Sequence, residues 1–570
     1  MKRSTLLVCS LLAVLSAARA AHAQGPTGAL AASVARDTRD GRETRDGRET
    51  RDGRETRDGR DTRDGRDTRD GRDTRVVRVA PLAAPLAEPC LGVDPTCVPP
   101  PVAREFRGLW IAAVGNIDWP SRPGLAPDLA RRELIALFDR AKSSGLNAVL
   151  LQVRPAGDAI YASELEPWSE YLTGTQGVAP RPWWDPLKFA VDEAHKRGLE
   201  LHAWFNPYRA KHTSSKSNYA PRHMALARPN LVRVYGRQEW MDPGEAAVRQ
   251  HTIRVILDVV QRYDIDGVHI DDYFYPYREN DRRGRPISFP DAATYRRYQM
   301  GGGTLPIDDW RRENVNTLVQ ELYRSIHEVK PWVKFGVSPF GIWRPGYPAT
   351  VTGFDAYSGL YADARKWLQE GWLDYFSPQL YWPIAQRGQE YPLLLRWWAE
   401  QNTFNRHLWP GNYTSKVGES SRTAWRSDEI EHQIRATRAD AGATGNVHFS
   451  ARVFLEDRDS LATRLGRDVY FEQALVPASP WLRVTRQGEP AVELVRSAAG
   501  AFSARVSPSG AESPHWWLIQ TRRTDGTWES TVLRGTVREM SIPSYTDRLS
   551  VRAVDRASIE STPVVLRVNR

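Results

Sequence analysis

The amino-acid sequence predicts an α/β protein in which a closed (β/α)8 TIM barrel is followed by a small β-sandwich. From Glu105 onward, apolar strand-like runs alternate with amphipathic helical patterns, which is typical of parallel βαβ units. After about Pro480 the helical patterns stop, and short alternating runs separated by turn residues take their place. Eight βα units in about 370 residues fit a closed barrel with long loops. The alternative, an open doubly wound sheet, is expected to carry a Gly-rich phosphate loop, which this sequence lacks.

The first 23 residues are predicted to be a secretory signal peptide. Lys2 and Arg3 precede an apolar run over residues 6–15, and a stretch rich in small residues ends at Ala23. The apolar run is too short to cross a membrane, and no other stretch of the sequence predicts a transmembrane span. Cys9 lies inside the run rather than just after it, so no lipid attachment is expected. The sequence therefore predicts an exported chain, periplasmic or secreted.

Residues 24–102 are predicted to be a disordered linker. Between Arg36 and Arg75 the unit R-[DE]-T-R-D-G repeats without an apolar residue that a core could bury. The rest of the linker is rich in Ala and Pro and contains Cys90 and Cys97. In an exported chain these two cysteines are compatible with a small disulfide loop, although the sequence alone leaves the pairing open.

The barrel is predicted over residues 103–479 and a fibronectin type III-like sandwich over residues 480–570. The predicted barrel strands are 106–113, 147–154, 199–207, 267–273, 334–340, 373–382, 407–413 and 446–453. The helices predicted between them are 129–144, 186–197, 245–263, 310–329, 363–370, 393–401 and 428–441. The predicted sandwich strands are 491–495, 502–506, 516–521, 548–554 and 564–568.

Composition and charge exclude several classes of function. The formal net charge of +10 is spread along the chain without a basic nucleic-acid-binding arm, so no nucleic-acid partner is expected. The sequence has no nucleotide loop, no metal-ligand spacing of Cys and His and no Ser-His-Asp order, so neither a cofactor nor a metal is predicted. Most of the 21 Trp and 21 Tyr side chains are expected in the core, and a surplus suits a cleft that stacks sugar rings.

The fourth predicted strand, G-V-H-I-D-D-Y-F-Y-P, carries the leading catalytic candidate. Side chains of barrel strands alternate between the helices and the lumen, so His269 and Asp271 are expected to face the lumen at the strand's carboxyl end. Asp272 must face the other way or turn with the loop. The competing interpretation is that Asp271 is a structural carboxylate paired with an Arg or with backbone donors. Two adjacent acids at this position favour the catalytic interpretation.

Other strands also place polar or aromatic groups at the same end of the barrel. The predicted substrate-binding residues are Arg154, Trp204, Asn206, Tyr208, His269, Tyr273, Gln379, Tyr381, Trp382 and Asn412. Each has an ordinary explanation when taken alone, such as a packed Trp or a hydrogen-bonded core His. Their occurrence on several strands at one end of the barrel predicts a cleft lined with aromatic groups and amides, which suits a hydroxyl-rich substrate.

This combination of side chains favours glycoside hydrolysis. That reaction needs a carboxylate beneath an oxocarbenium-like transition state and an acid at the leaving oxygen. Asp271 is predicted to be essential. The candidates for its partner are Asp272 and Asp158, which rank first, and Glu164, Asp242 and Asp363. Asp158 follows Arg154 closely, so its pKa is expected to be lowered.

Several long motifs between Glu105 and Pro477 resemble the glycosyl-hydrolase-like family ten proteins. They are E-F-R-G-L-W-I-A, L-L-Q-V-R-P-A-G-D-A-I-Y, E-A-H-K-R-G-L-E-L-H-A-W-F-N-P-Y-R, D-G-V-H-I-D-D-Y-F-Y-P-Y, W-R-R-E-N-V-N, F-G-V-S-P-F-G-I-W-R and S-P-Q-L-Y-W. This family includes outer-membrane lipoproteins that cleave peptidoglycan glycan strands stripped of their peptides. The resemblance implies a barrel, a hydrolytic role at the cell envelope and a polysaccharide partner. This chain lacks a lipobox, so the resemblance does not extend to lipid anchoring.

Two other functions stay open at this point. One is a catalytically silent glycan-binding barrel, and the other is a transglycosylase-type enzyme on the same polymer. The sequence also does not distinguish retention from inversion, because the separation of the two carboxyl groups decides that outcome.

Overall fold

The structure, a computed structural model, describes residues 86–90, 94–498 and 500–569. The predicted signal peptide and the Arg-Asp repeat lie outside the described residues. Within the described ranges, no helix is long and apolar enough to cross a membrane.

Eight parallel strands of the described chain form the barrel, as the sequence predicts. They are Phe106–Ile111, Ala148–Arg154, Glu200–Phe205, Gly267–Ile270, Lys334–Val337, Tyr375–Phe376, His407–Leu408 with Gly411–Asn412, and Gly445–Phe449. Each strand pairs with the next one along the chain, and the eighth pairs with the first, which closes the ring. The seventh strand is divided around Pro410, because proline has no N–H to donate to the ladder.

The eighth strand is shorter than predicted. It ends at Phe449, and Ala451–Leu455 is helical. The Asp118 carboxylate accepts hydrogen bonds from the Ser450 hydroxyl at 2.8 Å and from the Arg452 backbone N–H at 2.9 Å. The second contact satisfies a backbone donor in the first helical turn, so it favours the helix over a longer strand.

Helices surround the barrel, and each helix predicted from the sequence is present. The described helices are Pro127–Ser143, Glu170–Thr173, Pro186–Lys196, Met224–Ala227, Ala246–Arg262, Ala292–Met300, Ile307–Val329, Ala356–Gly359, Ala364–Gln369, Tyr391–Gln401, Ser427–Ala439, Ala451–Leu455 and Leu461–Arg467. Their apolar faces pack on the strands. In Ala246–Arg262, for example, Val248, Val255 and Val259 are fully buried at helical spacing.

A small antiparallel sheet in the loop after strand three was not predicted. Its strands are Arg209–Lys211, Val232–Tyr235 and Gln238–Met241. It begins just past the carboxyl end of strand three, and it therefore holds Arg209 near the ends of the barrel strands.

The C-terminal segment forms two antiparallel sheets packed around one apolar core. The larger sheet contains Ala87–Pro89, Val564–Val568, Thr546–Val554, Trp516–Arg523 and Trp528–Arg534, and the smaller contains Ala491–Arg496, Phe502–Ser507 and Glu539–Ile542. Trp517, Leu549 and Val551 are fully buried between them. This arrangement is the predicted β-sandwich.

One strand of the sandwich comes from the segment predicted to be linker. Ala87–Pro89 pairs with Val564–Val568, and Leu86 packs against the sandwich core. Cys90 and Cys97 form a disulfide bond directly after this strand. The last part of the predicted linker therefore belongs to the folded protein, because it carries apolar residues that the Arg-Asp repeat lacks.

Candidate active site

Asp271 lies at the carboxyl end of strand four, and only 3% of the residue is exposed. Its Oδ2 accepts hydrogen bonds from the Trp204 indole N–H at 3.1 Å and from the Asn206 side-chain amide. Its Oδ1 lies 3.4 Å from the backbone nitrogen of Tyr273. Two side chains from the end of strand three therefore hold one carboxylate oxygen, while the other oxygen has a single long contact within the described part of the chain.

A short chain of amides fixes the orientation of Asn206. Gln152 on strand two donates from Nε2 to Asn206 Oδ1 at 2.5 Å. The Gln152 Oε1 accepts from the backbone N–H groups of Ala113 and Val114 at 2.9 and 2.8 Å. Because backbone N–H groups only donate, the Gln152 amide has one possible orientation, and Asn206 must present its NH2 group to Asp271.

Asp271 and Asp272 form a buried pair of acids. Burial raises the pKa of Asp271 to about 7, the positive Arg209 opposes the rise and the neighbouring Asp272 adds to it. Burial also raises the pKa of Asp272, although hydrogen bonds from the Tyr277 hydroxyl and Gln379 act against this. Two carboxyl groups that interact closely do not ionise independently, so the pair holds a proton close to neutral pH.

Arg209 belongs to this site, although sequence reasoning did not single it out. The residue is buried, and its guanidinium carbon lies 4.1 Å from the centre of the Tyr273 ring. Nη1 donates to the Pro155 carbonyl at 3.3 Å. Its charge favours the ionised forms of Asp271 and Asp272. The signal in the sequence was the motif N-P-Y-R, which places an Arg just past the end of strand three.

His269 lies in the barrel interior but makes its hydrogen bonds away from Asp271. Its Nε2 accepts from the Trp110 indole at 3.1 Å and lies 3.0 Å from the Ser338 hydroxyl. Its Nδ1 lies 3.1 Å from the Tyr375 hydroxyl. Burial lowers the pKa of His269 well below its ordinary value, so the ring is neutral. It is part of the packed layer of the barrel beneath the acids.

Arg154 is fully buried, and its partner is an acid that sequence reasoning missed. Its guanidinium donates to the Glu166 carboxylate at 2.7 and 2.6 Å and to the backbone carbonyl of Asn206 at 2.5 Å. His251 lies 2.9 Å from the same carboxylate. Arg154 therefore supports the end of strand three from behind and has no exposed surface for a substrate.

This pairing reverses the expectation for Asp158. Its pKa is raised to about 7 rather than lowered, mainly through complete burial, and the negative Glu166 contributes. Asp158 accepts from the Ala156 backbone N–H at 3.1 Å and from the Gln176 amide at 3.4 Å. These contacts hold the loop after strand two in place. Glu166 takes the direct contacts of the Arg154 guanidinium, and burial outweighs the weaker attraction between Arg154 and Asp158, so the pKa of Asp158 rises.

The partly exposed candidates surround the two acids. Tyr273, Gln379 and Tyr381 each retain some solvent exposure. The Tyr381 ring stacks on Tyr413 with 4.9 Å between ring centres, and the pKa of Tyr381 is raised by burial and by the negative charge of Asp272. The Gln379 amide donates to the Ser338 carbonyl at 2.9 Å. These groups provide the accessible aromatic and amide surface at this end of the barrel.

Three further candidates are buried within the protein. Tyr208 is fully buried in the core. Trp382 packs against Phe340 with 5.6 Å between ring centres. Asn412 donates to Gln433 at 2.8 Å, on the side of strand seven that faces the helices.

The remaining acids considered from the sequence are either exposed to solvent or held by structural partners. Glu164 has a side chain that is 93% exposed. Asp242 is buried and lies 2.9 Å from the Arg233 guanidinium. Asp363 precedes the helix Ala364–Gln369 and accepts from the Trp343 indole at 3.2 Å. Asp272 is therefore the partner candidate that the structure places beside Asp271.

Within the residues that the structure describes, one group of side chains that could hold a metal lies elsewhere, where the barrel meets the sandwich. His195 Nε2 and His515 Nε2 lie 2.8 and 3.0 Å from the two oxygens of Asp266. The Leu201 backbone N–H donates to Asp266 Oδ2 at 2.7 Å. Sequence spacing did not predict this group, because its members are far apart in the chain. Each carboxylate oxygen already faces one imidazole, so the group also forms a hydrogen-bonded link between the two domains.

Comparisons with known proteins identify the family of this chain. A family model described as Glycosyl hydrolase-like 10 matches residues 105–428. Glycosyl hydrolase YngK of Bacillus subtilis (strain 168) is 39% identical over 441 residues, which are 75% of this chain and 85% of that protein. Glycosyl hydrolase DigH of Escherichia coli (strain K12) is 35% identical over 358 residues, which are 59% of this chain and 79% of that protein.

A solved structure is also similar to this chain. The PgaB (BpsB) glycoside hydrolase domain from Bordetella bronchiseptica is 15% identical, with a TM-score of 0.43 over 64% of this chain and 98% of that one. Since the family model spans more than half of the sequence, and YngK is a relative over three quarters of it, the chain belongs to the glycosyl hydrolase-like 10 family and is a glycoside hydrolase.

Proposed function

We propose that this protein hydrolyses glycosidic bonds in a bacterial cell-wall glycan, namely peptidoglycan strands that lack stem peptides. The observation that carries the proposal is the acid pair Asp271 and Asp272 at the end of strand four, with a pKa of about 7 for Asp271. A carboxyl group that keeps its proton near neutral pH suits a general acid, and its ionised neighbour suits an electrostatic role. Aromatic groups and amides around the pair suit a sugar.

The depth of the two acids supports the preference for strands without peptides. Asp271 and Asp272 are each at most 3% exposed, and Trp204, Tyr273 and Tyr381 stand around them. A glycan chain must therefore reach deep into the open end of the barrel before a glycosidic oxygen can contact these carboxyl groups. A peptide on each second sugar would add bulk at this point.

We also propose that the protein acts outside the cytoplasm, at the cell envelope. The N-terminal sequence supports export. The Cys90–Cys97 disulfide supports an oxidising compartment. The C-terminal sandwich, which we take to be of fibronectin type III kind, would then bind the wall or shield the barrel.

Product analysis of purified peptidoglycan tests the proposed substrate. The wild-type protein is expected to release soluble glycan fragments from peptidoglycan pretreated with an amidase, and few fragments from untreated peptidoglycan. An Asp271→Asn variant with an unchanged circular dichroism spectrum is the control. If the wild type and Asp271→Asn bind the strands equally and the wild type does not cleave them, the result would instead support a glycan-binding barrel. Cleavage of untreated peptidoglycan at the same rate would contradict the preference for strands without peptides.

A further inference from the structure

The position of the two acids on consecutive residues limits how they can act. A retaining glycosidase that forms a covalent intermediate needs a nucleophile and an acid about 5–5.5 Å apart on opposite sides of the scissile bond, and an inverting one needs about 6.5–9.5 Å to admit water. Asp271 and Asp272 share a peptide bond, so their Cα atoms are about 3.8 Å apart. The Asp271 carboxylate is held by Trp204 and Asn206 of strand three, and the Asp272 carboxylate is held by Tyr277 in the loop after strand four. Both carboxyl groups therefore start from one strand end, and we infer that they approach a bound sugar from the same side.

Other acids near the carboxyl ends of the strands are occupied by their own partners in the described part of the chain. Asp118 bonds to Ser450 and to two backbone N–H groups. Glu166 pairs with Arg154. Asp242 bonds to Thr294 and Arg233. Glu170 bonds to the backbone N–H groups of Lys216 and Ser217, and Asp291 pairs with Arg311. Asp158 anchors its own loop and is fully buried. Strands five to eight end without an acid.

We propose that the nucleophile at this site is the acetamido group on C2 of the bound sugar, with Asp271 as the proton donor and Asp272 as the carboxylate that accepts the acetamido N–H. This inference rests on the proposed function, because cell-wall glycan sugars carry such a group. It adds a requirement that the general activity does not contain, namely that the sugar on the cleaved side must be N-acetylated.

The hydrogen bonds support this division of roles. Asp271 Oδ2 accepts from both Trp204 and Asn206, as the carbonyl oxygen of a carboxylic acid would. Among the residues that the structure describes, Oδ1 has only its 3.4 Å contact with the Tyr273 backbone, so it is the oxygen placed to carry and donate the proton. Asp272 accepts from the Tyr277 hydroxyl through Oδ2 and also from the Gln379 side chain. In the ionised state it retains lone pairs for a further N–H donor.

The reaction then proceeds in two balanced steps. The acetamido carbonyl oxygen attacks C1 while the bond from C1 to the leaving oxygen breaks, and Asp271 gives its proton to that oxygen. The result is a protonated oxazoline ring whose N–H is hydrogen-bonded to Asp272. Water then adds to C1 and opens this ring, and its proton returns to Asp271. The acetamido group is regenerated, one water is consumed for each bond, and the anomeric configuration is retained.

Chemical replacement of the N-acyl group tests the proposal. Peptide-free glycan strands are de-N-acetylated and then re-acylated with either acetyl or trifluoroacetyl groups. The re-acetylated strands control for damage to the polymer. Fluorine withdraws electrons from the carbonyl oxygen, so kcat/KM of the wild type is expected to fall by at least about tenfold on the trifluoroacetyl strands, since the intramolecular attack is weakened. The de-N-acetylated strands should not be cleaved.

The possible outcomes separate this inference from the proposed function. If the wild type does not cleave native or re-acetylated strands, the proposed function itself is wrong. If it cleaves them but also cleaves the trifluoroacetyl strands within about twofold of the same rate, the function stands and the acetamido group is not the nucleophile. Two other results would also overturn the inference. One is an inverted anomer as the first product in NMR spectra, and the other is a covalent glycosyl adduct in the mass spectrum of rapidly denatured wild type.

Discussion

At the scale of single residues, the site depends on how Asp271 is held rather than on Asp271 alone. Its strand position could be predicted from alternation in G-V-H-I-D-D, because a residue at the end of a parallel barrel strand faces the open end. The partners Trp204 and Asn206 were predicted for the same face. Arg209 and Glu166 were not predicted, because both lie in loops whose path no periodic pattern describes.

Replacing Asp271 by Asn should separate stability from activity. The folded protein holds this proton up to about pH 7, whereas the ordinary pKa is 3.8. Between these values the folded state binds more protons than the unfolded chain, so the free energy of unfolding falls as pH rises through this window. An Asn side chain does not ionise, so Asp271→Asn removes this fall in the free energy of unfolding. We expect the variant to be more stable than wild type near pH 8, by on the order of 1–3 kcal/mol, with no difference near pH 4.

Urea unfolding at the two pH values measures this effect. Asp158→Asn, a second fully buried acid with a pKa of about 7, is the comparison and should show the same trend with pH. An Asp271→Asn variant that is less stable than wild type near pH 8 would show that the ionised carboxylate stabilises the fold instead.

The amide chain behind Asn206 gives a second test at this scale. Gln152→Met keeps the volume but frees Asn206 to rotate, and it leaves the N–H groups of Ala113 and Val114 without their acceptor. We expect kcat to fall by about tenfold to a hundredfold with a smaller change in KM, because the orientation of a group at the reacting carboxyl is lost.

The matched control is Gln433→Met. Gln433 is another fully buried amide, but it lies on a helix and bonds to Asn412 behind strand seven. This variant should lose stability and keep its kcat. Equal losses of kcat in both variants would show that general destabilisation, and not the orientation of Asn206, explains the effect.

At the scale of elements, the barrel strands were predictable and the exact ends of strands were not. Short apolar runs that alternate with helical patterns indicate where each strand lies, but they do not indicate the residue at which it ends. Asn412 was expected at the substrate end of the barrel because it ends the predicted strand seven, but Pro410 divides that strand, and Asn412 bonds to Gln433 on a helix. Tyr208 follows Pro207 into the loop and turns into the core, where alternation no longer applies.

The loop after strand two should depend on one buried ion pair. Glu166→Gln leaves Arg154 fully buried without a counter-charge, and removing one partner of such a pair costs about 3–5 kcal/mol. Thermal unfolding of the purified variant measures this loss. Glu164→Gln is the control, because that side chain is 93% exposed and lies only two positions away. A Glu166→Gln variant as stable as the control would mean that water or another acid compensates Arg154.

At the scale of the whole molecule, the barrel and sandwich form one compact unit within the described residues. Asp266 of the barrel bonds to His515 of the sandwich, and the Trp481 indole donates to Asp374 at 2.8 Å. Leu475 packs in a cluster with Trp516 of the sandwich. The sequence predicted two separate units, because contacts between distant segments leave no local pattern.

Replacing His515 should loosen this junction without changing catalysis. His515→Ala removes one of the two imidazoles on Asp266, so we expect the free energy of unfolding to fall by about 1–3 kcal/mol. The value of kcat/KM on soluble glycan, measured well below the melting temperature, should stay the same. His432→Ala, at an exposed helix position, is the control. A large loss of kcat/KM in folded His515→Ala would show that the sandwich contributes to the active site.

The N-terminal boundary gives a further test. A chain that begins at Leu86 keeps the strand Ala87–Pro89 and the disulfide, and should melt like the full chain. A chain that begins at Val102 loses both and should melt a few degrees lower, about the shift that a loss of 1 kcal/mol produces. Turnover on soluble glycan should be the same in both. Identical melting temperatures would show that this strand adds nothing to the sandwich.

The central claim is that this protein hydrolyses a glycan with the acid pair at the end of strand four, and one measurement tests it most directly. Peptide-free peptidoglycan strands are digested in water enriched in oxygen-18, and the new reducing ends are examined by mass spectrometry. We expect one heavy oxygen at each new end with the wild type, and a rate at least about 1,000-fold lower with folded Asp271→Asn. Products without heavy oxygen would indicate a transglycosylase, and more than about a tenth of the wild-type rate in Asp271→Asn would contradict the assignment of the site.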